Sequence, residues 1–175
     1  MSSVPAPRSG PPVTTDREIP NALQDVGLIS WRDMEDVSGS AAAIPFLLAA
    51  VASGDPAAAR DALERLRQRI CQYGFVVGQA TAVTVPILWD LAQRPQITCR
   101  AQILRLLRDI AGARQWATTA AAHPKIHRHH GDHVEWEHAA RRAVRAQRGA
   151  IPRLLAEPDA EVVHATKELA ATLAE

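Results

Sequence analysis

From residue 41 onward the apolar positions of the chain recur every three or four residues. Ile44, Leu47, Leu48 and Val51 stand at i, i+3, i+4 and i+7, which places one buried stripe on a helix. Ser53-Gly54-Asp55-Pro56 interrupts that stripe, and Pro56 suits the first turn of a following helix. The following helix is expected to bury Ala59, Leu63, Leu66 and Ile70. Asp61 and Arg65, an i, i+4 pair, then face water beside Glu64 and Arg67. Upstream, Ser30 reads as an N-cap with Asp33 completing a capping-box variant. It opens a short helix with Trp31, Met34 and Val37 on one side. Residues 1–20 carry five prolines among Ser and Thr and no apolar payload to offset the entropy of ordering. They read as a disordered tail, with order beginning near Asn21.

The helical pattern repeats. Val85-Pro86-Ile87-Leu88 echoes Ile44-Pro45-Phe46-Leu47 at a distance of 41 residues, and Arg94-Pro95 then breaks it as Asp55-Pro56 broke the first. The next helix should bury Ile97, Ala101, Leu104, Leu107 and Ala111. A third copy, Ile151-Pro152-Arg153-Leu154-Leu155, follows 66 residues later with its own breaker, Glu157-Pro158-Asp159, and a closing helix bearing Val162, Leu169 and Leu173. A helix–Pro turn–helix unit of about 40 residues marks HEAT or armadillo arrays, in which no unit buries its stripe alone. The expectation is an all-α fold: one HEAT-like α-solenoid of about three helix pairs over residues 21–175. The longer second interval calls for a His- and Arg-rich insertion before the last pair. A non-repetitive helical bundle is the competing arrangement.

The run Trp31…Gly39-Ser40-Ala41…Ile44-Pro45-Phe46-Leu47-Leu48 resembles the opening of a group of bacterial HEAT-repeat proteins. Gln72-Tyr73-Gly74…Ala80-Thr81…Val85-Pro86-Ile87-Leu88 is similar to their second unit. The likeness spans residues 31–113 and, more loosely, the last unit. It departs at Cys71, where His is expected, at Tyr73, which separates Gln72 from Gly74, and at Val163-His164, where Val-Arg is common. What the resemblance implies is an interaction scaffold; some such proteins look like immunity proteins to toxins. A fold alone does not specify a partner.

Composition adds to this picture mainly by exclusion. Apolar residues make up 47% and aromatics 4%, so close-packed Ala, Leu, Ile and Val favour helices over a β-sandwich. The formal net charge of +1 supplies no global pull toward nucleic acid or anionic membrane. No signal-peptide core and no membrane-spanning run is visible, and cytoplasm is the expected location. Two cysteines, Cys71 and Cys99, lack the spacing of a zinc knuckle or a disulfide framework, and the helix geometry sets them too far apart to bond.

Chemistry concentrates in the insertion. His123, His127, His129, His130, His133 and His138 lie there with Asp132, Glu135 and Glu137. Asp132 and Glu135 suggest a capping box that starts a helix at His133, and His133 with Glu137 would then share a face. With His129 and His130 they form a candidate divalent-metal set, since imidazole and carboxylate suit zinc, nickel or copper. His133 and His138 are five apart, so this is not the metalloprotease motif. The plainer expectation for residues 113–140 is a solvated, flexible polar connector with no cofactor. Arg141, Arg145 and Arg148, at i, i+4 and i+7, with Arg142 and Arg153 alongside, form a basic stripe that would suit phosphates. Its plainer reading is a solvated or salt-bridged face. Trp31 and Trp89 belong to packing stripes and Trp136 to the apolar side of the inserted helix. Trp116 joins no stripe and is the candidate exposed binding aromatic.

The leading functional expectation is a non-catalytic protein-binding scaffold, with an immunity or inhibitor role as one version. The alternatives are a nucleic-acid-binding protein using the Arg stripe of 141–153, and a metal-binding or enzymatic protein centred on residues 123–138.

Overall fold

The computed structural model describes residues 22–175, with the backbone alone at Ala22 and at 126–130. The expected tail of residues 1–20 and the side chains of His127, His129 and His130 lie outside the described residues. The described chain is mostly helical.

Its opening departs from the short helix expected at Ser30. A single turn, α1 (Ala22–Asp25), leads through 3-10 turns at Val26–Leu28 and Trp31–Asp33 into a small antiparallel hairpin, β1 (Glu35–Asp36) and β2 (Gly39–Ser40). Ser30 makes no side-chain cap. Tertiary partners outweigh the local capping signal. The Asp36 carboxylate is buried, takes a 2.7 Å bond from Arg69, and accepts from the Ser38 N–H at 2.7 Å. Val37 N–H donates to the Arg69 carbonyl, and Ala80 N–H to that of Glu35. The close approach is made at Gly78: a Cβ there would lie 3.1 Å from backbone atoms of Asp36 and Val37.

The helices then follow the stripes closely. In α2 (Ile44–Val51) Ile44, Leu47, Leu48 and Val51 are buried, and α3 (Pro56–Ile70) buries Ala59, Leu63, Leu66 and Ile70. Pro56 occupies the first turn of α3, capped by Asp55 accepting from the Ala58 N–H. Helix α4 (Thr81–Ala92) is buried on nearly every side and carries Pro86 in its interior. The lost hydrogen bond, a cost of up to about 3 kcal/mol, is borne by a helix whose side chains are covered all round. Its one buried charge, Asp90, is held by Arg94 at 2.8 Å.

Helix α5 (Arg100–Gly112) starts later than Pro95 predicts; Ile97 is buried, but in the turn before it. Arg100 is buried there, donating to the Ala92 carbonyl at 2.8 Å and to Glu157 at 3.0 Å, which ties the last turn of the chain to α5. The insertion is not an irregular connector. It folds as α6 (Gln115–Ala122) and α7 (Pro124–Ala146), and α7 begins well before the cap expected at Asp132. A 3-10 turn at Arg148–Ala150 leads into α8 (Ile151–Leu155), and α9 (Ala160–Ala174) closes the chain with Asp159 as its N-cap.

Packing pairs α2 with α3, α4 with α5 and α8 with α9. Helix α7 lies against α4 and α5, α6 against α7, and α9 packs extensively along α5. The core therefore runs between α4, α5, α7 and α9, with Leu88, Trp89, Leu104, Leu107, Val144 and Leu169 fully buried.

Candidate functional site

Two regions of the described residues gather polar and aromatic groups as candidate functional sites. The first is the α6–α7 hairpin. Glu137, completely buried on α7, accepts from the backbone N–H of Trp116 at 2.7 Å and of Ala117 at 2.9 Å. These are donors of the first turn of α6, which no residue of α6 itself can satisfy. The sequence reading placed Glu137 in a candidate metal set, beside the plainer expectation of a polar connector with no cofactor. Its two oxygens instead cap a helix, because burial demands partners for the carboxylate and the α6 N-terminus supplies them. His133 lies one turn before Glu137 between two indoles, its ring 4.6 Å from that of Trp116 and 4.7 Å from that of Trp136. Trp116 is consequently half-buried, not the exposed aromatic the sequence suggested, since the fold supplies the stripe that its own helix lacks. Among the described residues no group of three or more His, Cys, Asp or Glu side chains is placed to hold a metal ion.

The arginine stripe is partly kept. Arg141 and Arg145 lie one turn apart on α7 and are half-buried, while Arg148 is exposed in the 3-10 turn beyond the helix. Arg142 points elsewhere, paired with Glu135 at 2.9 Å, and that bond holds the Glu135 carboxyl below its usual range. Arg114 enters the same neighbourhood from the start of α6. Burial, and then the fields of Arg114 and Arg145, push the Arg141 guanidinium below its ordinary value.

The second region is one the sequence reading did not single out. Helix α5 packs extensively along α9, but α3 stands off from α5. The gap is a groove of about 260 Å³ lined by Arg60, Leu63, Glu64 and Arg67 from α3 and by Gln102, Arg105 and Leu106 from α5. An ion network borders it. Arg67 and Arg108 both bind Asp109, Arg108 also reaches Glu168 at 3.2 Å, and Arg105 meets Glu161 at 3.1 Å.

At one end the chain turns sharply between α3 and α4. Gln72 and Val76 bridge, Phe75 N–H bonds to the Gln72 carbonyl at 3.2 Å, and both central residues are left-handed, Tyr73 at φ 56° and Gly74 at φ 81°. Glycine accepts that backbone freely; tyrosine does not. The Tyr73 ring is nonetheless 75% exposed beside half-open Phe75, their centroids 6.3 Å apart. The turn touches the groove: a Cβ at Gly74 would stand 3.5 Å from Arg67 Nη2 and 3.8 Å from Asp109 Oδ2. The signal in the sequence was Tyr73 itself, an aromatic ahead of a turn glycine.

Both thiols are buried and unbonded. Burial, reinforced by Asp109 against the opposing Arg67, pushes the Cys71 thiol up to about 12, and burial also raises that of Cys99. Neither suits a nucleophile. No helix of the described residues is long and apolar enough to cross a membrane. No family model, curated protein or solved structure matches this chain.

Proposed function

We infer that the chain is a non-catalytic binding protein that grips a partner protein along the α3–α5 groove, with Tyr73 and Phe75 as its anchors. The observation that carries this reading is the exposed aromatic pair at the end of an arginine-lined groove, with Tyr73 held in left-handed backbone and Phe75 beside it. A tyrosine in that conformation costs on the order of 1–2 kcal/mol. Exposing its ring recovers nothing in the free protein, so the position is best explained by a contact made elsewhere. Tyr and Arg are also the residues that dominate the centres of protein interfaces.

The arrangement of helices supports a HEAT-like array beneath this surface. Helix α7 lies on α4 as α9 lies on α5, which is how successive units of an array stack. Helices α4–α5 would then be one unit and α7 with α9 the next, while the pair α2–α3 stands off from α5. On that reading the first helix of the last unit is the end of α7 continued by α8, and the insertion shrinks to α6 and the start of α7. Arrays of this kind present long grooves to protein partners. The resemblance to bacterial HEAT-repeat proteins makes an inhibitor or immunity role the specific version to examine.

The test is comparative capture with wild type, Tyr73→Asn and Phe75→Ala. Asn tolerates the left-handed region, so Tyr73→Asn should melt at or above the wild-type temperature. A partner recovered stoichiometrically with wild type should be lost with both variants. It should also protect the amides of residues 72–76 from exchange. Undiminished capture by both folded variants would refute the proposal.

A further inference from the structure

We propose that Arg114, Arg141 and Arg145 together form a seat for the phosphate group of a small ligand. This site is separate from the groove and does not depend on it. The cluster is built by tertiary structure. Docking of the α6 N-terminus on Glu137 brings Arg114, two residues ahead of Trp116, beside α7, where Arg141 stands one turn after Glu137 and Arg145 one turn further. Burial, and then the like charges of Arg114 and Arg145, lower the Arg141 guanidinium from its ordinary value.

Other buried or half-buried arginines of the fold are answered by carboxylates: Arg67 and Arg108 share Asp109, Arg105 meets Glu161 and Arg100 meets Glu157. Among the described residues no carboxylate lies within ion-pair distance of Arg114, Arg141 or Arg145. The nearest acidic influence is Glu137, and both of its oxygens already accept backbone donors. The Nε–H of Arg141 is shielded from solvent and meets no acceptor among the described residues. Three cations gathered around a shielded donor suit an anion.

The anion's chemistry follows from the donors. Three guanidinium forks offer more N–H groups than the two oxygens of a carboxylate can accept, whereas a phosphate presents three oxygens and up to two charges. A duplex is disfavoured, because the net charge of the chain is only +1 and the cluster is compact.

The experiment titrates the full chain with inorganic pyrophosphate by calorimetry, with malonate at equal ionic strength as the carboxylate comparator. Wild type should bind pyrophosphate saturably at one equivalent, and malonate at least tenfold more weakly. Arg114→Gln and Arg141→Gln should each weaken pyrophosphate binding about tenfold or more, the loss of one charge-assisted contact, and Arg65→Gln should not. Arg114 is exposed, so its variant reports on the site even if the Arg141 variant folds poorly. Binding that does not saturate, equal binding of malonate, or unchanged affinity in Arg114→Gln would overturn the proposal. So would a single-stranded oligonucleotide that binds more tightly than pyrophosphate.

Discussion

Replacing Glu137 by alanine should cost the protein a large part of its stability. The side chain is completely buried and its two oxygens hold the N–H groups of Trp116 and Ala117 at 2.7 and 2.9 Å. Each is a bond to a charged acceptor, worth roughly 1.5–3 kcal/mol net, and truncation also leaves two helix-end donors without partners. Water entering the vacated space recovers part of this, which leaves a loss of about 3–5 kcal/mol against a total typical of such domains of about 5–15 kcal/mol. With a urea slope near 2 kcal/mol per molar, the midpoint should fall by about 1.5–2.5 M. Glu137→Gln keeps one acceptor oxygen and should fall by about half as much. The assay is urea unfolding followed by far-ultraviolet circular dichroism, with zinc measured on the dialysed proteins. A midpoint within about 0.5 M of wild type for the alanine variant would refute the capping role. Stoichiometric zinc in wild type that disappears in the variant would restore Glu137 to the metal set of His129, His130 and His133 and make stability depend on free metal.

Other perturbations test other levels of the structure. Leu88→Ala removes a fully buried side chain and should cost about 2–5 kcal/mol, while Arg65→Ala, at a side chain 70% exposed, should change the melting temperature little; equal midpoints would mean the repeat register is wrong. Gly78→Ala pushes a methyl to 3.1 Å from the backbone of Asp36 and Val37 and should destabilise by about 1–3 kcal/mol, as thermal melting would show; an unshifted melt would mean that the hairpin gives way freely. The Cys71 thiol stays protonated in the fold up to about 12. The unfolded thiol ionises near 9, so the unfolded state binds fewer protons above that pH. Stability should therefore be full below pH 9 and decline from there toward 12, less so in Cys71→Ala. Reaction of the native thiol with a disulfide reagent at the unfolded rate would contradict this burial. Deleting residues 1–15, which carry no apolar payload, should leave helicity and melting unchanged; a clear loss of stability would show that this segment packs on the helices.

The helices were legible because their causes are local. A stripe such as Ile44, Leu47, Leu48 and Val51 is set by the 3.6-residue period, and Asp55-Pro56 and Asp159 carry capping within a few residues of the turns they start. The reading failed where a distant partner outweighs a neighbour. Ser30 looks like a cap, but Arg69, 33 residues from Asp36, turns the segment into a hairpin. Glu137 and His133 were read against neighbours on their own helix, but the donors of α6, 20 and 21 residues away, and the ring of Trp116 are their partners in the fold. Tyr73 stood out in the sequence only as a departure from the family pattern between Gln72 and Gly74. Only the path of the chain between α3 and α4 puts it in left-handed backbone with its ring in water. The groove and the arginine seat belong to tertiary structure in the same way. Sequence periodicity determines which face of each helix is buried, whereas the separation of α3 from α5 and the arrival of Arg114 beside Arg141 are decided by how those faces pack together.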